Sequence, residues 1–187
     1  MRRTAFLILF SVALLGCCAL FLLHNEEAVN LSNIVKLETP GDFIVHSSER
    51  IPKENVTSMI VADGMIFLHY DATGLVNVYD TSGAFQYGIQ ICTLPNGSGD
   101  IAYDAGMLYC YARGNVIYKF DRTSLVDAVQ FHAGNPDNIR FEQYEVLFNQ
   151  QKNHEYNGEQ FYLLKEQNIV TKKDAQNQFE TIIILAK

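Results

Sequence analysis

Apolar residues fall along this chain in two unlike patterns. From Thr4 to Leu23 about 20 consecutive positions carry no charge, roughly the length a helix needs to cross a bilayer. Further on, the apolar residues come in short clusters divided by Gly, Asn, Asp and Ser, which is the punctuation of strands and turns. Asp63-Gly64-Met65-Ile66-Phe67-Leu68-His69-Tyr70 is followed by Val76-Asn77-Val78-Tyr79-Asp80-Thr81-Ser82-Gly83 and then by Phe85-Gln86-Tyr87-Gly88-Ile89. A turn containing Gly leads into an apolar strand, a second turn leads into a strand ending in Asp, and a third turn leads into another strand. The third turn is the clearest, because the Asp80 side chain can bond nearby backbone and Gly83 accepts positive φ.

The pattern recurs. Asp104-Ala105-Gly106-Met107-Leu108-Tyr109-Cys110-Tyr111 repeats the first segment and Val116-Ile117-Tyr118-Lys119-Phe120-Asp121-Arg122-Thr123 the second. The spacing from Gly64 to Gly106 and from Asp80 to Asp121 is roughly 40 residues, a period typical of propeller blades. A looser third copy runs through Asn157-Gly158, Phe161-Tyr162-Leu163-Leu164, Ile169-Val170-Thr171 and Phe179-Glu180-Thr181-Ile182-Ile183-Ile184. It stands about ten residues further on than the period requires, and the excess falls in the polar stretch from Gln150 to Asn157, which is expected to be a longer loop. The expected fold class is all-β: three to four antiparallel meander blades in a partial or open propeller-like domain, preceded by one transmembrane helix.

The segments quoted, with an Asp-Gly turn before an apolar strand, a Val-x-Val-Tyr/Phe-Asp strand and a following Gly-x-Phe, resemble blades of the NHL, YVTN and quinoprotein-like β-propeller superfamilies. The resemblance covers Val56 to Ile184. It implies blades stacked around an axis, and the chain departs from the quinoprotein type in having no Trp, so that type's tryptophan-docking motif and its quinone cofactor are not implied here. Propellers close with four to eight blades, which three copies do not supply. Strands between Asn30 and Ser48, drawn from Ile34-Val35-Lys36-Leu37 and Asp42-Phe43-Ile44-Val45-His46, are expected to form a fourth, partial blade. An open edge is expected even so, at Thr181 to Leu185, where another chain could pair.

The apolar N-terminal run divides the protein into a stub at 1–3, an anchor at 4–23, a linker at 24–33 and the β domain at 34–187. Arg2 and Arg3 precede the run and Glu26 and Glu27 follow it, so the positive-inside rule puts the N-terminus in the cytoplasm and the domain outside. Two other readings stay open for this segment. It resembles a cleavable signal except in its length, and Leu14-Leu15-Gly16-Cys17 resembles a lipobox whose Cys17 would carry lipid, although Cys18 to Leu23 gives no polar tether. Cys17 and Cys18 otherwise act as small apolar residues within a helix.

Composition narrows the chemistry. The formal charge of −7 on 187 residues opposes nucleic-acid phosphate, and 10 Tyr with 12 Phe suit half-buried strand surfaces. His46, His69, His132 and His154 have no metal-ligand spacing and are expected to be solvated or hydrogen-bonded. His69, beside Tyr70, is the histidine that most invites mutation. Asp100, after Asn96-Gly97-Ser98-Gly99, closes a polar loop that could hold an ion or sugar but lacks the alternating acids of a calcium loop. Cys92 and Cys110 lie in adjacent copies, so a disulfide and two buried free thiols are equal alternatives. Tyr70, Tyr79, Tyr87, Tyr103, Tyr109, Tyr111 and Tyr118 are expected to pack the core ahead of forming a binding strip. Asn30, Asn55 and Asn96 stand in glycosylation sequons but are taken as turn residues.

No nucleophile elbow and no phosphate-binding loop is present, so no catalytic, cofactor-binding or metal-binding residue is assigned. The expected function is a membrane-anchored extracytoplasmic binding or protein-interaction module without catalysis, its partner a protein or a second copy. The alternatives are a structural subunit completed by another chain, and an enzyme working in a propeller cavity.

Overall fold

A computed structural model describes residues 34–36, 43–91, 99–112, 116–131, 144, 146–150, 152–174 and 176–185. The expected anchor, the linker, Cys17, Cys18, Cys92, His132 and Asn96 to Ser98 lie outside the described residues. Among those described, no helix is long and apolar enough to cross a membrane.

The domain is all-β and wholly antiparallel. Its first meander runs β3 (Ser58–Ala62), β4 (Met65–Tyr70), β5 (Leu75–Asp80) and β6 (Phe85–Ile91). The second runs β7 (Asp100–Asp104), β8 (Met107–Ala112), β9 (Val116–Asp121) and β10 (Ser124–Phe131), and the third β11 (Glu155–Tyr156), β12 (Glu159–Leu164), β13 (Ile169–Lys173) and β14 (Phe179–Ile184). Each copy thus has four strands where the sequence pattern marked three, because the first strand precedes the Asp/Asn/Ala-Gly turn from which the copies were counted. That turn is the same in all three. Asp63 and Gly64 have φ of 49° and 74°, Ala105 and Gly106 47° and 81°, and Asn157 and Gly158 51° and 79°, the doubly left-handed geometry that matches strand twist in a tight hairpin.

The turn before each fourth strand also repeats between the first and third meanders. Asp80 Oδ1 accepts from the backbone N–H of Ser82 (2.9 Å) and Ala84 (3.1 Å), and Asp174 Oδ1 does the same for Gln176 (2.9 Å) and Gln178 (2.8 Å). The fourth strand of every meander then carries one extra, unpaired residue, Gln86, Val126 or Ile182, a bulge that sharpens the local twist.

The two N-terminal strands correct the expectation of a fourth partial blade. β1 (Ile34–Lys36) pairs with β10 and β2 (Phe43–His46) pairs with β6, giving sheets ordered β1-β10-β9-β8-β7 and β2-β6-β5-β4-β3. Strands this short do not make a sheet of their own, whereas the outer edge of a meander offers them a row of unpaired backbone groups. The third sheet, β11-β12-β13-β14, has no such addition among the described residues, and the three sheets do not join into a closed barrel.

The first sheet lies in the middle of the core. Phe67, Val76, Val78 and Ile89 on one face pack with Ile101, Leu108, Cys110 and Phe120 of the second meander. Ile66, Leu68, Tyr70, Leu75 and Tyr79 on the other face pack with Phe161, Val170 and Ile183 of the third. Both faces of β4 and β5 are therefore buried, which is why these strands read as nearly continuous apolar runs. Strands β8 and β12 alternate, since only one of their faces meets the first sheet. At the inner edge, β3 lies beside both β7 and β11.

Candidate functional site

Two places stand out: the outward face and edge of the third sheet, and a polar cluster where β3, β4 and β7 meet. Strand alternation builds the first. Phe161 turns into the core, at 1% exposure, so Tyr162 and Leu164 turn outward at 36% and 39%. Cross-strand pairing sets Leu164 beside Ile169 and Ile169 beside Ile184, an apolar row across three strands. The next row is Tyr162, Thr171 and Thr181, and then Gln160, Lys173 and Phe179. Phe179 is 64% exposed and Ile184 71%. The rings of Tyr162 and Phe179 lie 5.7 Å apart, and the Lys173 ammonium sits 5.7 Å from the Phe179 ring.

The outward face of the second sheet is different. There Tyr109 and Tyr111 are covered by Tyr144 and Phe148, at ring separations of 6.2 Å and 5.9 Å. The edges differ too, for β6 and β10 each have a capping strand and β14 has none among the described residues. β14 is the edge expected at Thr181 to Leu185. It contains no Pro, and its one charge, Glu180, lies 3.9 Å from Lys172, so of the usual blocks to edge pairing the bulge at Ile182 is the main one present.

In the polar cluster the structure brings together His69 and Asp100, which sequence alone had singled out separately. Thr57 donates its hydroxyl proton to the backbone oxygen of His69 (3.0 Å). His69 Nδ1 lies 3.2 Å from Thr57 Oγ1 and 3.5 Å from Ser58 Oγ, and its Nε2 has no hydrogen-bond partner among the described residues. Burial holds the imidazole below its ordinary pKa against the opposing pull of Asp71, Asp100 and Glu54, with the Lys152 charge adding to the depression. Lys152 forms an ion pair with Asp100, and Gly99 N–H donates to Asp71. A Cβ at residue 99 would stand 2.6 Å from Tyr111 O, so the loop passes here only as glycine.

The other sequence candidates are held by hydrogen bonds or packed in the core. His46 Nε2 meets Gln90 Oε1 at 3.0 Å and His154 Nε2 meets Met59 O at 3.0 Å. Cys110 is a free, buried thiol. Of the tyrosines, Tyr70, Tyr79 and Tyr118 are buried, and the Tyr103 hydroxyl donates to Asp63 at 2.8 Å while its ring lies on Phe67. No set of three His, Cys, Asp or Glu among the described residues could hold a metal. Sequence reasoning missed Lys152 and Asp71. Asp71 opens the β4–β5 turn and was open to notice, but nothing in the sequence ties Lys152 to an acid so far away along the chain.

Comparison with family models, curated proteins and solved structures finds no match.

Proposed function

We propose that this chain is a membrane-anchored, extracytoplasmic protein-interaction module, built of propeller-like blades, that takes an extended segment of a partner protein on β14. The observation that carries this reading is the asymmetry of the three sheets: among the described residues the outer strands of two are capped and that of the third is not. Backbone pairing would supply affinity and the row of Leu164, Ile169 and Ile184 would select apolar side chains on the incoming strand. The run from Thr4 to Leu23 would hold the domain at the membrane with its N-terminus in the cytoplasm.

The test is a photo-crosslinking amino acid placed at Phe179 in the full chain in its own membranes. A discrete protein adduct, lost when Ile184 is changed to Lys, is the expected result, and mass spectrometry then distinguishes a second copy from another chain. No adduct at 179, or the same adduct from a probe at the exposed, distant Val126, would overturn the reading.

One observation favours a second reading, an enzyme. Polar side chains do converge at the inner strands, and His69 Nε2, without a hydrogen-bond partner among the described residues, would serve as a general base in the tautomer that protonates Nδ1. A reaction found for the chain that survives His69→Gln unchanged would remove it.

A further inference from the structure

A cleft of 560 Å³ opens between the start of β3 and the end of β12. In a chain with 21 acidic and 14 basic side chains, the described residues lining it include Lys152 and Lys165 and no carboxylate. That is the reverse of the protein's overall charge. From these residues we infer that the cleft binds an oxyanion, a carboxylate or phosphate group, carried on a small ligand with one apolar side. The inference rests on this cleft and not on a partner at β14, although Leu164 borders both.

The two lysines and the His154 imidazole are held in place before a ligand arrives. The Lys165 ammonium donates to Thr57 O at 2.8 Å, which uses one of its three protons and leaves two to present. Lys152 is fixed by its ion pair with Asp100, its side chain 21% exposed, and likewise keeps donors to spare. His154 is held by Met59 O through Nε2. Tethering of this kind spares the ligand the entropy of ordering long side chains. Asp100 offsets the charge of Lys152 in part, so Lys165 is the principal attraction. The hydroxyl of Ser58 adds a further polar group at the same rim.

The rest of the wall is apolar. Leu163, Leu164 and Tyr162 line it, and Tyr162 is oriented by a 2.6 Å hydrogen bond from its hydroxyl to Gln160 Oε1. A volume of this size lies within the range of small-molecule sites. The ligand that fits has its charge at the lysines and an aliphatic or ring face on Tyr162 and Leu164. An acidic sugar and a peptide C-terminus both answer that description, and free phosphate answers only its charged half.

The experiment is calorimetric titration of the full chain in a zwitterionic detergent with glucuronate, N-acetylleucine and inorganic phosphate, each against an uncharged counterpart where one exists: glucose and N-acetylleucine amide. At least one oxyanion is expected to bind at least tenfold more tightly than its uncharged counterpart, or in the case of phosphate to bind saturably. Glucuronate as the best probe identifies a sugar acid, N-acetylleucine a peptide end, and phosphate a free ion. Lys165→Gln should weaken binding tenfold or more and Lys165→Arg should largely retain it, at unchanged circular dichroism. Because Lys152→Gln strands Asp100, its effect is read in the Lys152→Gln/Asp100→Asn double variant, which should also weaken binding. Absence of saturable heat with all three probes, equal binding of the uncharged counterparts, or indifference to Lys165→Gln in a folded protein would each overturn the inference.

Discussion

Replacing Phe161 by Ala tests how the third sheet is attached. Phe161 is 1% exposed and sits on β12 facing the first sheet, in the cluster with Val170, Ile183, Tyr70 and Tyr79. Removing a buried phenyl ring costs about 3–5 kcal/mol, since the transfer free energy is lost and the cavity closes only in part. That is a large fraction of the roughly 5–15 kcal/mol that holds a typical domain folded. Tyr162, the next residue, supplies the control. Its side chain lies on the opposite face, 36% exposed and in contact with the Phe179 ring, so Tyr162→Ala removes an exposed aromatic pair worth about 0.5–1.5 kcal/mol. Urea unfolding followed by far-ultraviolet circular dichroism suits a chain without Trp. The third sheet depends on few large side chains, so Phe161→Ala should also give an early transition in which that sheet releases before the rest. If Phe161→Ala costs under about 1 kcal/mol, or if Tyr162→Ala costs more, the assignment of core and outer faces to β12 is wrong.

Other residues give equally definite outcomes. Gly83 has φ of 88° and a Cβ there would meet Ile182 O at 2.0 Å, so Gly83→Ala should cost more than the roughly 1–2 kcal/mol of a left-handed alanine alone. Gly106, with φ of 81° and open space around it, should lose only that conformational part, and urea midpoints of the two variants test the order. The depressed pKa of His69 means that, as pH falls, the unfolded chain takes up a proton at about 6.5 while the folded chain does not. Stability should thus fall as pH drops below that value, by up to about 1.4 kcal/mol per unit, and His69→Gln should remove this component of the slope; parallel stability profiles for the two proteins would refute it. Burial pushes the Cys110 thiol well above its ordinary pKa, so alkylation footprinting at pH 8 should leave the Cys110 peptide unmodified in the native protein and label it in urea.

Much of the candidate site was present in the sequence as single residues without an arrangement. His69 and Asp100 each drew notice from local context, one for its aromatic neighbour and the other for its glycine-rich loop. Their meeting, with Lys152 completing the group, depends on β3 lying beside β7 and on the segment before β11 returning to the same place. No short-range pattern encodes that return. The edge at β14 was more legible, because the strand is apolar and is the last of the third copy of the repeat.

What the amino-acid sequence determined by itself is the local unit. A left-handed pair at Asp63-Gly64, Ala105-Gly106 and Asn157-Gly158, and an Asp that gathers backbone N–H groups at Asp80 and Asp174, act within a few residues and turn each copy into a meander whatever surrounds it. Tertiary structure alone decided the rest: that the first sheet is buried on both faces, that β1 and β2 cap the first two sheets rather than begin a fourth, and that β14 has no capping strand among the described residues. Those outcomes follow from competition among distant segments for the same apolar faces and the same unpaired backbone edges. Such a competition is settled by buried area and pairing over the whole domain, and no window of sequence contains it.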